Sequence, residues 1–498
     1  MRNHWHTFQA VLRKVGSLLF VLGGFLLLPI AVVFIYGEYR SSLLTLAAFA
    51  GPGTLSILLG AISRRYLPRR ELSKIQALLV CSLGWIAYSI IGALPFLITL
   101  KVSYLNAVFE TMSGFTTTGI TIFSGLDGMP KSILFWRSLT QWVGGLGILT
   151  FFLAVSFQGE SGYRLFGAES HKIEYKRPVP GLANTLKILW GIYLLFSSLI
   201  CLGLIIFGMP IFDSVCQTFT LLSTGGFSPH DASIGYYQQA GFPHFIAIEY
   251  LIILGMILGG TNFLIHYRFL RGKISSLFDN TEMRYWLGFI VLFIVIILAE
   301  RGMRGGADFW DKFETNVRAV AFQVISIITT TGFATRNIAG PFFGPVARQL
   351  FLVMMVIGAC VGSTGGGFKV LRTAIMIKAV RREVFRFRAP RNAVSSIIID
   401  GKPVSTDEIR RVSALFFTWI GLLAVGGIIT AAFSGLSGLP ALSGMFSALG
   451  NIGPCYIPAA EIPQLHPMIK ITYIFGMLAG RLEILPVLLL FSRRAWRS

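Results

Sequence analysis

Long apolar runs separated by short polar joints make up this chain. Runs of about 20 apolar residues, enough to cross a bilayer, fall at 16–36, 42–62, 75–99, 132–157, 186–208, 246–268, 284–300, 346–377, 411–435 and 467–491. Each predicts a membrane-spanning helix, ten in all. Between them lie four shorter apolar segments, 104–115, 212–222, 315–328 and 440–449. Helices of about 10–14 residues reach only about 15–21 Å, short of a hydrocarbon core of about 30 Å. A polar, glycine-containing turn follows each one directly, so the pattern predicts re-entrant half-helices. The first long run exceeds the apolar region of a signal peptide and lacks a small-residue cleavage site, so it reads as a retained span.

These elements group into an all-α polytopic membrane protein. Residues 1–70 hold an N-terminal pair of spans. Four helix–half-helix–turn–helix units follow, at 71–160, 161–275, 276–395 and 396–498. Repetition on this scale is common among membrane transport proteins, with the substrate site where the repeats meet. The inner stretch 378–410, the longest polar insertion, is a candidate docking surface.

Composition agrees with this picture. The 498 residues are 54% hydrophobic and 13% charged, with 54 glycines, which excludes a soluble globular protein and suits packed membrane helices. A net charge of +21 would suit a nucleic-acid partner, but the placement of the charge does not. Bases collect beside the apolar runs: Arg13 and Lys14; Arg64, Arg65, Arg69, Arg70 and Lys74; Lys378, Arg381, Arg382, Arg386, Arg388 and Arg391; Arg493, Arg494 and Arg497. With the half-helices opening outward, these clusters fall inside, together with Arg164, Lys172, Lys176, Arg177, Arg268, Arg271 and Lys273. Asp127, Asp231 and Asp308 fall outside. That is the positive-inside pattern, with both termini inside, a lipid bilayer as the partner and no nucleic acid. Five scattered cysteines match no metal or disulfide spacing and read as packing residues.

The candidate chemistry lies in the four turns. Set Gly119, Gly226, Gly332 and Gly453 in register. The three residues before them are Thr116-Thr117-Thr118, Ser223-Thr224-Gly225, Thr329-Thr330-Thr331 and Gly450-Asn451-Ile452. Six residues before the glycine stands a small hydroxyl in every turn: Ser113, Thr220, Ser326 and Ser447. A partly dehydrated monovalent cation needs several oxygens in place of its water, and backbone carbonyls supply them without burying formal charge. The candidate cation ligands are therefore Thr117, Thr118 and Gly119; Thr224, Gly225 and Gly226; Thr330, Thr331 and Gly332; and Asn451, Ile452 and Gly453. No ring of carboxylates stands in the turns, which argues against a divalent-cation filter. Glu110, nine residues before Gly119, reads either as an internally satisfied carboxylate or as an ion ligand. Ordinary loops are the plain alternative, and they leave the half-length helices and the shared register unexplained.

Each unit's closing span carries an irregularity. Gly144-Gly145-Leu146-Gly147 and Gly259-Gly260-Thr261-Asn262 read as close-packing sites. Gly362-Ser363-Thr364-Gly365-Gly366-Gly367 differs, since three successive glycines should break a helix in mid-membrane. It predicts a flexible gate on the inner side of the filter. Arg481, about midway along the last span, is a functional candidate by its charge. It reads as an electrostatic barrier below the cation site, as a donor to loop carbonyls, or as both. Glu483, two residues on, points to another face of a helix.

The turns Ser113-Gly-Phe-Thr-Thr-Thr-Gly119, Ser223-Thr-Gly-Gly-Phe227, Thr329-Thr-Thr-Gly-Phe333 and Leu449-Gly-Asn-Ile-Gly-Pro454 resemble the four filters of the Trk/Ktr/HKT cation transporters. Gly259–Asn262, Gly362–Gly367 and Gly480-Arg-Leu-Glu-Ile484 resemble that superfamily's other signatures. The extra N-terminal spans bring the chain nearer the bacterial TrkH-like type than the eight-span Ktr type. The resemblance implies potassium uptake by a homodimer in the plasma (bacterial inner) membrane, each subunit with its own pore. It also implies a cytosolic TrkA-type nucleotide-sensing ring, and potassium as substrate with no bound cofactor. A glycine in all four turns goes, in that superfamily, with potassium over sodium, and the divergent fourth turn resembles the superfamily's own fourth filter. Channel-like conduction and symport both remain compatible, and so does sodium or ammonium as the ion. A polytopic membrane enzyme would need a cluster of His, Asp or Glu within the spans, whereas the seven histidines lie mostly near the ends or in loops. A membrane scaffold would leave the four turns without a role.

Overall fold

The computed structural model describes residues 2–70, 72–156, 182–390, 395–436 and 438–496. Arg164, Lys172, Lys176, Arg177, Arg391 and Arg497 lie outside the described residues. Nearly all regular structure among the described residues is helical. It opens with Arg2–Leu27, broken at Pro29 into Pro29–Ile35, and the antiparallel Leu43–Tyr66. These two pack by their small residues. A Cβ on Gly60 would sit 2.6 Å from the Gly16 carbonyl oxygen, and one on Gly23 would sit 2.7 Å from that of Gly53. Small residues let membrane helices approach this closely.

Local signals set the helix starts. Ser73 and Gln76 form a reciprocal capping box at Lys74–Gly92. Ser103 caps the first half-helix through the Asn106 amide, and Ser405 caps Thr406–Ser434 through that of Glu408. The four half-helices are Tyr104–Phe115, Ile211–Leu222, Phe313–Ile328 and Leu439–Gly450, of 12, 12, 16 and 12 residues.

Among the described residues, six helices are long and apolar enough to cross a membrane, and a bent pair would make a seventh. Large apolar side chains such as Phe20, Leu58, Leu199, Val291, Phe417 and Ile428 stand exposed along them, which is a lipid-facing surface. The chain is a multi-pass membrane protein.

Among the described residues, three of the ten predicted spans are interrupted by non-helical backbone. The run 246–268 turns through 107° between Phe245–Gly260 and Phe263–Leu270, so Gly259 and Gly260 end a helix as well as packing closely. Asn262 restarts the chain by accepting the Leu264 amide at 2.8 Å. The run 346–377 stops at Ile357 and resumes at Val370, a wider gap than the six residues expected. The run 467–491 stops at Arg481 and resumes at Leu485. Arg481 is therefore the last residue of a helix and does not lie midway along a span. Part of the polar stretch 378–410 folds back on itself. Ile398–Ile399 and Lys402–Pro403 form a short hairpin, and Asp400 at its turn accepts the Thr281 amide at 2.6 Å.

Candidate cation site

The four half-helices end alike. In the first, the Thr117 amide donates to the Gly114 carbonyl at 2.9 Å, and the Thr118 amide to Ser113 at 2.8 Å. The same nested pair joins Thr224 to Leu221 and Gly225 to Thr220, Thr330 to Ile327 and Thr331 to Ser326, and Asn451 to Ala448 and Ile452 to Ser447. This closure places its pivot residue in the left-handed region. Thr117, Thr224, Thr330 and Asn451 have φ of 51°, 53°, 59° and 53°. Threonine is strained there, while asparagine tolerates it. The fourth turn thus reaches the same backbone with a sequence that looks divergent. The shared hydroxyl residue six before the glycine is the one whose carbonyl receives the bond from five residues further on.

Two residues past each pivot the chain is left-handed again. Gly119, Gly226, Gly332 and Gly453 have φ of 85°, 76°, 83° and 105°, and the residues between are not left-handed. Alternation of hand turns successive carbonyls toward one side, as a carbonyl-lined ion path requires.

The turns also close a ring. A Cβ on Gly119 would collide with the Gly225 carbonyl oxygen, one on Gly226 with that of Thr331, and one on Gly332 with that of Ile452. One on Gly453 would lie 3.0 Å from the Thr118 oxygen. Each glycine backs onto the carbonyl of the next turn, and the fourth returns to the first. Asn451 strengthens that last joint, donating to Thr118 Oγ1 and to the Met477 carbonyl, both at 2.9 Å. All twelve predicted ligand residues thus meet at one place.

On one side the ring opens into a cavity of about 630 Å³ lined by the four glycines with, among others, His230, Asp231 and Arg336. On the other side lies the broken third closing span, residues 358–369. Thr364 Oγ1 donates to the Leu222 carbonyl at 2.8 Å, and the Gly366 amide to Thr330 Oγ1 at 2.7 Å. The Thr364 amide bonds the Gly259 carbonyl at 3.2 Å, and the Phe263 amide bonds that of Gly362 at 3.1 Å. The break in the second closing span is therefore the seat of this segment. A Cβ on Gly365 would lie 2.9 Å from the Thr329 carbonyl oxygen, so the glycines let the segment press against the turns.

Arg481 is buried and joins three units. It donates to the Thr364 carbonyl at 2.6 Å and to that of Gly144 at 3.1 Å. Glu483 pairs with Arg372 at 2.5 Å. Glu110 is fully shielded, bonded to Arg137 Nε at 2.8 Å and to the Ile122 amide at 2.9 Å, the arrangement of a satisfied carboxylate.

Two residues of this neighbourhood were not singled out from the sequence. Arg137 donates to the Ser228 carbonyl at 3.1 Å and covers the Phe227 ring at 4.3 Å. Gln141, one turn on, reaches the second turn itself. A basic residue within the apolar run 132–157 was the available signal for Arg137.

Comparison with known proteins identifies the family. A family model named TrkH, described as a cation transport protein, matches residues 70–497. The chain belongs to the TrkH family. The match to the TrkH model starts where the N-terminal helix pair ends. The Trk system potassium uptake protein TrkH of Salmonella typhimurium is 33% identical over 99% of this chain and all of its own length. Trk system potassium uptake protein TrkI of Halomonas elongata is 30% identical over 98% of this chain and 97% of its own. The crystal structure of the potassium transporter TrkH from Vibrio parahaemolyticus superposes with a TM-score of 0.86 at 29% identity, covering 98% of this chain and 99% of that one.

Proposed function

We propose that this chain carries potassium into the cell through the ring of turn carbonyls. The closed cycle of four glycines, each seated on its neighbour's carbonyl, is the observation that carries the reading. Carbonyl oxygens of the twelve residues would replace part of the ion's hydration shell. The C-terminal ends of four half-helices each favour a cation there by about 0.3–1 kcal/mol. Potassium as the ion is supported by the relatives, whose names are those of potassium uptake proteins. Residues 362–367 form the gate, and Arg481 latches it from the last unit while placing a positive charge beneath the ring.

The five-part organisation at 1–70, 71–160, 161–275, 276–395 and 396–498 belongs to this reading, each later part giving one quarter of the ring. So do the inner membrane, inward-facing termini, a homodimer and a TrkA-type cytosolic ring, all proposed from the charge pattern and the resemblance. The test is rubidium and sodium uptake in a potassium-uptake-deficient bacterium, comparing wild type with Gly119→Ser and Gly332→Ser. Each serine must displace a carbonyl of the next turn, so potassium preference should fall by about tenfold or more in both, the worth of one good polar contact. Unchanged preference in both would sink the proposal.

A further inference from the structure

The second turn differs from the other three in one respect. At the position before the ring glycine the others carry a side chain: Thr118, Thr331 and Ile452. Two of these anchor their own turns, Thr118 Oγ1 lying 2.8 Å from Thr116 Oγ1 and Thr331 Oγ1 2.8 Å from Thr329 Oγ1. The third, Ile452, is fully buried in the apolar core. The second turn has Gly225, followed by Gly226. Two adjacent glycines would leave this quarter of the ring the freest to change its torsions.

A neighbouring unit fills the gap. A Cβ on Gly225 would overlap the Gln141 side-chain amide, so Gln141 stands where the missing side chain would be. Its Nε2 donates to the Gly225 carbonyl at 2.7 Å, and its Oε1 accepts the Phe227 amide at 3.1 Å. The partners fix the orientation of the amide, because a carbonyl only accepts and a backbone N–H only donates. Gln141 is fully buried. Among the described residues, the Thr118, Thr331 and Ile452 carbonyls receive no such side-chain bond. The residues three before the closing-span glycine in the other units are Met256, Ala359 and Met477, none of which can make it.

We propose that Gln141 is a positioning residue for cation selection. It stands in for the absent side chain of the second turn, fixes the direction of the Gly225 carbonyl, and leaves that oxygen a second lone pair for the ion. This rests on the reading of the turns as a cation filter.

The test compares Gln141→Met, Gly225→Thr, the double variant Gln141→Ala/Gly225→Thr, and Gly332→Ser as a marker of the filter itself. Rubidium uptake, its inhibition by sodium and the amount of full-length protein in the membrane are measured for each. Gln141→Met keeps the volume and removes both hydrogen bonds. It should raise the KM for potassium and lower the preference over sodium by about tenfold, the worth of such bonds. Gly225→Thr alone should abolish uptake by collision. The double variant rebuilds the Thr-Thr-Gly pattern of the first and third turns and should recover wild-type preference. A purely structural Gln141 would lower only the protein amount. Unchanged preference and KM in Gln141→Met, with preference changed in Gly332→Ser, overturns the proposal and spares the filter; unchanged preference in both removes the filter reading as well. Should Gln141→Met fail to accumulate, the double variant decides: restored preference supports the role, and lost preference overturns it.

Discussion

Glu110 and Arg137 are almost wholly shielded and bonded to each other at 2.8 Å. Removing one member of such a pair strands the other charge and costs about 3–5 kcal/mol. Glu110→Gln and Arg137→Met should each lower the thermal unfolding midpoint of the purified protein sharply, and the double variant by less than the sum of the two. His230, which lines the cavity beside the ring, gives a pH dependence. It lies between Asp213, at 2.8 Å, and Asp127, and stacks on Tyr236 with ring centroids 3.5 Å apart. Burial is the largest single influence and pulls its pKa down, but the hydrogen bonds and charges of the two aspartates together raise it above the ordinary 6.5. A raised folded-state pKa means that the protonated form favours folding. Its contribution is fully present below the unfolded value and is lost as pH rises through the folded one. Wild type should therefore lose midpoint temperature over that window, and His230→Gln should flatten the loss. Residue types alone did not reveal these roles. Glu110 stood out by its place in the register, whereas its partner lies 27 residues away and only the fold brings them together.

At the scale of elements, helix length was the readable quantity. Four segments too short to span became four half-helices, and the shared hydroxyl-to-glycine spacing corresponds to one recurring backbone closure. The breaks were less readable. A glycine pair at 259–260 serves packing and helix termination equally well, and only the segment seated on it separates the two. At 482–484 the apolar count runs on through a break set by the backbone, where Glu483 and Ile484 both have φ of 63°. The segment 358–369 and Arg481 give a prediction at this scale. Deleting three residues within 362–367 should change the rate of rubidium flux, and Arg481→Met should raise it. Arg481→Lys separates charge from latch. It keeps the charge but loses the two-pronged donation to Thr364 and Gly144. Flux like wild type in the lysine variant marks a barrier of charge, and raised flux marks the latch.

The whole molecule adds what no segment contains, the order of the turns around the ring. Pattern shows that four exist; the contacts show that each leans on the next in chain order and that the last meets the first. Sidedness is testable at this scale. Alkaline phosphatase fused to either terminus should be inactive, and active when inserted after Gly125, if the basic clusters face inward. The joint between Asn451 and Thr118 spans 333 residues of sequence, and this sets the timing of assembly. A ribosome that has released the first three turns has made an arc with an open side, and the final quarter emerges only with the last fifty or so residues, after the rest has had time to insert. A product that ends before Gly453 lacks the last quarter's oxygens and cannot complete the ring.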